Sequence, residues 1–291
     1  MKKEYMMAGI TIFLWATLPP MTKLILTDFP SMTLLYYSSV IASVALIIIL
    51  LVTGRFRIIK SYSARDILCL IGLGFLGEFL YSALYYKGLT LISSTDACIL
   101  NYLWSVTAVI FSCIFLREKI TFSKVSAILI AFEGIVQVTS KGSSLTIFSG
   151  SNLTGCAVCI LAAFCYGLFN VLNKIFGKDQ WINMTFYFGL TAILAGIISH
   201  ASGQIVIPTI PQWIGILWLG ICIDAVGIVI WAIALQSSEV SFLVNFAYAT
   251  PVLAMILSVI LLKEPFNFYS CEGLLLILIS FFLQKKVISP K

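Results

Sequence analysis

The sequence predicts an all-α integral membrane protein, with ten transmembrane helices arranged as two inverted five-helix repeats. Three observations carry that expectation. Hydrophobic residues make up 60% of the chain and charged residues only 10%, against roughly a quarter charged in soluble domains. Apolar runs of about 20 residues, the length that crosses a bilayer core, follow one another with short connections. The second half also echoes the first at a constant offset of 146 residues, as from Glu118 to Glu264 (264 − 118).

The ten expected spans are 5–26, 31–53, 66–89, 93–116, 123–140, 152–174, 180–200, 212–235, 240–262 and 267–286. The first follows Lys2 and Lys3 and so resembles a signal peptide. It contains Pro19, Pro20 and Lys23, and no small-residue cleavage site follows, so it is read as a retained helix. Pro19 and Pro20 remove two backbone donors and are expected to interrupt that span, freeing carbonyls that protein or a wet cavity must satisfy. Gly54 to Arg65 separates the second and third spans, and Lys141 to Ser151 the fifth and sixth; these are the only connections of any length. Asp96 and Glu239 open the fourth and ninth spans, where a helix dipole favours negative charge. Pro251 repeats the proline interruption in the ninth span, while Glu133 and Glu272 place acids in the fifth and tenth, read as packing or oligomer contacts. Glu118 and Glu264 each adjoin a basic residue and read as interfacial caps of a tight helical turn. Nothing is left over for a water-soluble domain, which argues against an enzyme with extramembrane chemistry.

The net charge of +6 reports orientation rather than nucleic-acid binding, because the basic residues sit between spans. With a cytoplasmic N-terminus, fourteen Lys and Arg fall inside and four, Lys23, Lys87, Lys141 and Lys263, fall outside. That bias puts both termini in the cytoplasm and requires an even number of spans. Cysteine and histidine offer little chemistry. Cys156-x-x-Cys159 has no second pair or nearby His to complete a metal site, and His200 is the one histidine. No metal, cofactor or catalytic residue is expected, and the small cysteines read as helix-packing residues.

The repeat divides the chain into 1–145 and 146–291. Tyr102, Ala108, Ser112, Leu116, Arg117 and Phe122 meet Tyr248, Ala254, Ser258, Leu262, Lys263 and Phe268, and Leu73-Gly74 meets Leu219-Gly220. Five spans per copy is an odd number, so the second copy starts on the opposite side of the membrane. Inverted repeats of this kind underlie alternating access in secondary transporters.

Two ionisable residues fall at bilayer depth in matching places. Glu78 lies mid-way along the third span and Asp224 mid-way along the eighth, again 146 residues apart (224 − 78). Each costs at least ~2.5–3.5 kcal/mol to place there, so an interior site shared by both halves is expected. Tyr81, Ser82 and Tyr85 continue the Glu78 face, and Ile228 and Trp231 continue that of Asp224. A carboxylate with aromatics one or two turns away suits a solute with an ammonium group and an apolar body. The bland alternative is a pair of protonated acids bonded between helices. Asn101, Asn170 and Asn245 suit either a solute's polar group or an interhelical bond, and Trp15 with Lys23 has the same spacing as Tyr166 with Lys174.

At these residues the chain resembles the drug/metabolite transporter superfamily, in the ten-helix branch whose repeat is called the EamA domain. The resemblance rests on WATLPPMTK, on FLREKITFSKVSAILIAFEGIVQV and on LLKEPFNFYSCEGLLLILISFFLQ. Asn101-Tyr102-Leu103-Trp104 further resembles the N-Y-L-W-P stretch of that family's aromatic amino-acid exporters, with Ser105 in place of the proline. The C-terminal hairpin departs from the family's glycine-rich pattern. The resemblance implies a central cavity lined by spans one to four and six to nine. The substrate-binding residues expected from residues and resemblance together are Glu78, Tyr81, Tyr85, Asn101, Tyr102, Trp104, Asn170, Asp224, Trp231 and Tyr248. The expected function is export of amino acids or related amines across a cytoplasmic membrane, with small-molecule solute and lipid as partners. A drug or cation efflux protein of the same fold and a membrane-embedded lipid-modifying enzyme are the alternatives. The absence of a nucleotide-binding G-x-x-x-x-G-K-S/T loop argues against an ATP-driven pump.

Overall fold

A computed structural model of the chain describes residues 3–117, 151–235, 249–264 and 268–285, together with parts of 121–137. The fifth expected span lies largely outside the described residues, as do Glu118, Glu239, Asn245 and Tyr248. The described helices are α1 Lys3–Leu26, α2 Ser31–Val52, α3 Ala64–Leu91, α4 Ser94–Phe115, α5 Ser151–Phe176, α6 Gln180–Ala201, α7 Ile210–Ala234, α8 Ala249–Leu262 and α9 Phe268–Lys285. Seven of them, α1 to α7, are long and apolar enough to cross a membrane.

Helix starts follow from local chemistry. Ser63 and Asp66 form a reciprocal capping box at the head of α3, and Asp179 accepts from the amides of Trp181 and Ile182 at the head of α6. At the head of α7 the Gln212 side chain accepts from the Thr209 amide at 2.8 Å. Between the ends, residues such as Ile47, Ile48 and Leu51 on α2 and Ile193 and Ile197 on α6 stay exposed, as lipid-facing positions must.

Helix α1 runs unbroken through Pro19 and Pro20, contrary to the expected interruption. The helix accommodates them because the carbonyls that lose their donors, those of Trp15 and Ala16, are internal to the bundle, where Trp15 and Ala16 are buried. Irregularity appears instead at the acids. Helix α3 widens into a π segment over Phe75–Leu80 and α7 does so over Trp218–Gly227, each interrupting an otherwise α-helical span. Helix α4 breaks at Tyr102 and Leu103 before resuming at Trp104.

Helix α2 packs along α6, α3 along α5, α1 along α7, α2 along α7, α3 along α6, α4 along α5 and α1 along α8. Tight approaches need glycine. A Cβ at Gly167 on α5 would lie 2.7 Å from the Trp104 carbonyl oxygen and 2.9 Å from the Ala108 amide, both backbone atoms of α4. In the absence of a hydrophobic drive between helices, such contacts hold the bundle together.

Candidate functional site

The irregular stretches of α3, α4 and α7 converge with α1 and α5 on a cavity enclosing about 620 Å³ of empty space, its mouth included. Trp15, Leu18 and Pro19 of α1, Glu78, Tyr81, Ser82, Tyr85 and Tyr86 of α3, Cys98, Asn101, Tyr102 and Trp104 of α4, Tyr166 of α5, and Ile223, Asp224 and Ile228 of α7 line it. Among the described residues its wall holds two carboxyls and no basic side chain. Each carboxyl rides on a π segment, and π-bulges are rare turns that recur at functional sites. The extra residue per turn swings the side chains that follow it. Glu78, Tyr81, Ser82 and Tyr85, grouped on one face by the helical spacing, all line this wall.

The polar groups in this cavity are unevenly satisfied. The Ser38 hydroxyl of α2 donates to the Leu35 carbonyl on its own helix at 3.4 Å. Asn101 donates to the Tyr81 hydroxyl at 3.1 Å, whereas its own Oδ1 has no hydrogen-bond partner. Glu78, only 1% exposed, has an equally unpartnered Oε1. Among the described residues, then, two buried acceptors in this wall lack a donor, where most buried polar atoms are paired. Aromatic rings fill the remaining wall. Tyr166 stacks on Tyr81 at 4.5 Å between centroids and meets Trp104 edge-on at 5.4 Å, and Tyr81 stacks on Tyr85 at 6.0 Å. Aromatic ring faces and carboxyl oxygens both attract positive charge.

A second cavity adjoins the first and shares Tyr166 and Ile228 with it. Phe169, Asn170, Asn173, Lys174, Gln180, Met184, Trp231 and Ala232 complete its lining. Trp231 stands at the boundary, 5.1 Å from the Trp15 ring and 6.4 Å from that of Trp104. Of the ten expected site residues, Glu78, Tyr81, Tyr85, Asn101, Tyr102, Trp104 and Asp224 line the first cavity, while Asn170 and Trp231 line the second. Tyr248 lies outside the described residues. Asn170 donates to the Tyr166 carbonyl on its own helix.

Charged and polar contacts tie the ends of the bundle. At one end Arg55 pairs with Asp179 at 2.7 Å, Lys178 pairs with Asp66 at 3.2 Å, and the Tyr62 hydroxyl donates to Asn183 at 2.9 Å. Burial and the neighbouring Asp179 push the Tyr62 hydroxyl up to about 12, so it stays a donor at any physiological pH. At the other end Lys23 of α1 donates to the carbonyls of Leu89 and Ile92, at 2.5 and 2.6 Å, latching α1 to the C-terminus of α3. There Glu264 accepts from the amides of Ser94 and Thr95 and from the Thr95 hydroxyl. It caps the distant helix α4 rather than its own turn.

The EamA-like transporter family description matches the chain twice, over residues 2–140 and 153–284. The chain belongs to the EamA-like transporter family. Among its relatives is an uncharacterized transporter of Archaeoglobus fulgidus, 28% identical over 236 residues, which cover 77% of this chain and 79% of that one. The uncharacterized transporter YyaM of Bacillus subtilis is 25% identical over 97% of this chain and 93% of its own. The aromatic amino acid exporter YddG of Ancylobacter novellus is 24% identical over 63% of this chain and 64% of its own. A solved crystal structure superposes with a TM-score of 0.75 over 99% of this chain and 100% of that one, at 19% identity, which shows a common fold.

This EamA-like transporter is accordingly a multi-pass membrane protein that handles small molecules. Sequence reasoning missed Leu18, Tyr86, Cys98 and Ile223 in the wall. It noted Trp15, Pro19, Ser82, Tyr166 and Ile228 without assigning them to the site. The signal for Tyr166 was available in its spacing from Lys174, which matches that of Trp15 from Lys23. None of the eight cysteines forms a disulfide, and among the described residues no cluster of three His, Cys, Asp or Glu is placed to hold a metal.

Proposed function

We propose that this EamA-like transporter is a secondary transporter exporting small ammonium-bearing solutes, amino acids or related amines, across the cytoplasmic membrane by alternating access. The observation that carries the reading is the acidic, aromatic cavity, with Glu78 Oε1 and Asn101 Oδ1 unpartnered. A solute ammonium supplies the donors these acceptors lack, and the Tyr81, Tyr166 and Trp104 faces bury its apolar part. The printed name of the YddG relative, an aromatic amino acid exporter, agrees with that chemistry.

The proposed architecture is ten spans in two inverted repeats, 1–145 and 146–291, with both termini cytoplasmic. Several paired features support it. Glu78 and Asp224, 146 residues apart, each lie within a π segment. Among the described residues the two non-glycine residues with positive φ, Arg117 at 56° and Lys263 at 53°, are also 146 apart and follow α4 and α8. Gly74 abuts Tyr187, and its counterpart Gly220 abuts Ile41, again the matching residue (187 − 41). Helix contacts exchange in the same way, α3–α5 for α7–α1 and α2–α7 for α6–α3. The family description likewise matches each half separately. Rocking one half on the other would open the cavity alternately toward the Lys23 end and the Arg55–Asp179 end, with protons or the solute gradient as the driving force.

The test is counterflow of radiolabelled phenylalanine and leucine into liposomes holding the purified protein. Uptake by the wild type and its loss in a Glu78→Gln, Asp224→Asn double variant are expected; undiminished transport by that variant removes both residues from the mechanism. The absence of any basic residue from the first cavity among the described residues favours one second reading, efflux of organic cations, for which tetraphenylphosphonium in place of amino acid is the distinguishing probe.

A further inference from the structure

The second cavity has the opposite chemistry to the first. Among the described residues no acidic side chain lines it, and the one charged group there is the Lys174 ammonium. Asn173 donates to Gln180 Oε1 at 2.8 Å, Gln180 donates to the Lys178 carbonyl at 3.1 Å, and the Tyr187 hydroxyl donates to Asn173 Oδ1 at 3.0 Å. The amides are thus committed to one another. The Trp231 indole is not. It is 1% exposed, lines this cavity, and its Nε1–H has no hydrogen-bond partner among the described residues. An indole N–H can only donate, and a buried one normally finds an acceptor.

The geometry points to a second binding subsite at Trp231 and Lys174, which takes an anionic or acceptor group, a carboxylate foremost. Trp231 supplies a directed donor at the boundary between the cavities, and Lys174 supplies positive charge further along the same wall. In the neighbouring cavity the polar atoms left unpartnered among the described residues are both acceptors, Glu78 Oε1 and Asn101 Oδ1. A solute reaching from one cavity into the other past Tyr166 and Ile228 therefore meets acceptors at one end and donors at the other. That polarity matches a zwitterion and opposes a plain amine, whose second end carries nothing for Trp231 to bind. The inference rests on the proposed transport of ammonium-bearing solutes and narrows it to those with an acceptor group.

The experiment compares matched pairs that differ only in the carboxylate: phenylalanine with phenethylamine, and leucine with isoamylamine. Binding to the purified full-length protein is measured for wild type, Trp231→Phe, Lys174→Gln and Lys174→Arg. Trp231→Phe keeps an aromatic ring beside Trp15 and Trp104, and Lys174 is exposed, so its variants spare the packed interior. In Trp231→Phe and Lys174→Gln the ratio of amino-acid to amine affinity should fall about tenfold, the effect of one lost charge-assisted hydrogen bond, and Lys174→Arg should restore it. An unchanged ratio in both variants, or equal loss for amino acid and amine, overturns the subsite. Wild-type protein that binds neither member of either pair overturns the underlying transport reading instead.

Discussion

Replacing Glu78 with Met distinguishes a carboxylate kept for a solute from one kept for packing, because the two roles predict opposite changes in stability. Glu78 is almost completely buried and its Oε1 has no partner. An unpaired buried polar atom costs about 1–3 kcal/mol, and a carboxyl at bilayer depth costs ~2.5–3.5 kcal/mol on insertion scales. Methionine has a similar reach, no polar atom that needs a partner and enough flexibility to fill the same wall. The unfolding free energy of Glu78→Met should therefore rise by about 1–3 kcal/mol, since the unpaired acceptor is removed. Affinity for an ammonium-bearing solute should fall at the same time by about 10- to 150-fold, the equivalent of a lost hydrogen bond to a charged group. Denaturation of the purified protein in detergent measures the first quantity, and binding of phenylalanine and phenethylamine the second. A drop in stability of more than about 1 kcal/mol, the net value of an ordinary hydrogen bond, would identify Glu78 as a satisfied packing element. An unchanged affinity would exclude it from the site.

Other consequences follow from the packing. Gly167→Ala forces its methyl against the Trp104 carbonyl and Thr107, so α4 and α5 must separate; a loss of about 1–3 kcal/mol in detergent unfolding is expected. Glu264→Gln weakens the charge at the α4 N-terminus, and a loss of about 0.3–1 kcal/mol should appear in the same assay. Lys23→Met removes both donors to the Leu89 and Ile92 carbonyls. Cys98, buried in the cavity wall, should then react faster with a membrane-impermeant maleimide added from the Lys23 side, in a protein whose other cysteines are serine; an unchanged rate would show that the latch closes nothing.

The offset of 146 residues and the two intramembrane acids were legible because they are single-residue signals that survive without coordinates. Glu78 and Asp224 stand out in apolar runs, and the i, i+3, i+4, i+7 spacing correctly grouped Tyr81, Ser82 and Tyr85 on the same wall. The π segments were not legible. An extra residue in a helical turn follows from neighbouring packing, not from a residue type that announces it. The break in α4 at Tyr102 was hidden for the same reason, since neither Tyr102 nor Leu103 is a helix breaker. Pro19 and Pro20 pointed the other way. They suggested an interruption that the buried bundle absorbs without bending the helix apart. Long-range satisfaction was likewise out of reach: Glu264 looked like a local cap, and only the fold brings its carboxylate to Ser94 and Thr95.

Sidedness of two matched positions tests the central claim most directly. Thr121 and Asn267 are 146 residues apart (267 − 121) and follow the two positive-φ residues Arg117 and Lys263. In single-cysteine variants Thr121→Cys and Asn267→Cys, an impermeant thiol reagent applied to intact cells should label the second and reach the first only after the membrane is opened. Labelling of both from the same side would contradict the inverted arrangement, and with it the shared site that Glu78 and Asp224 are proposed to form.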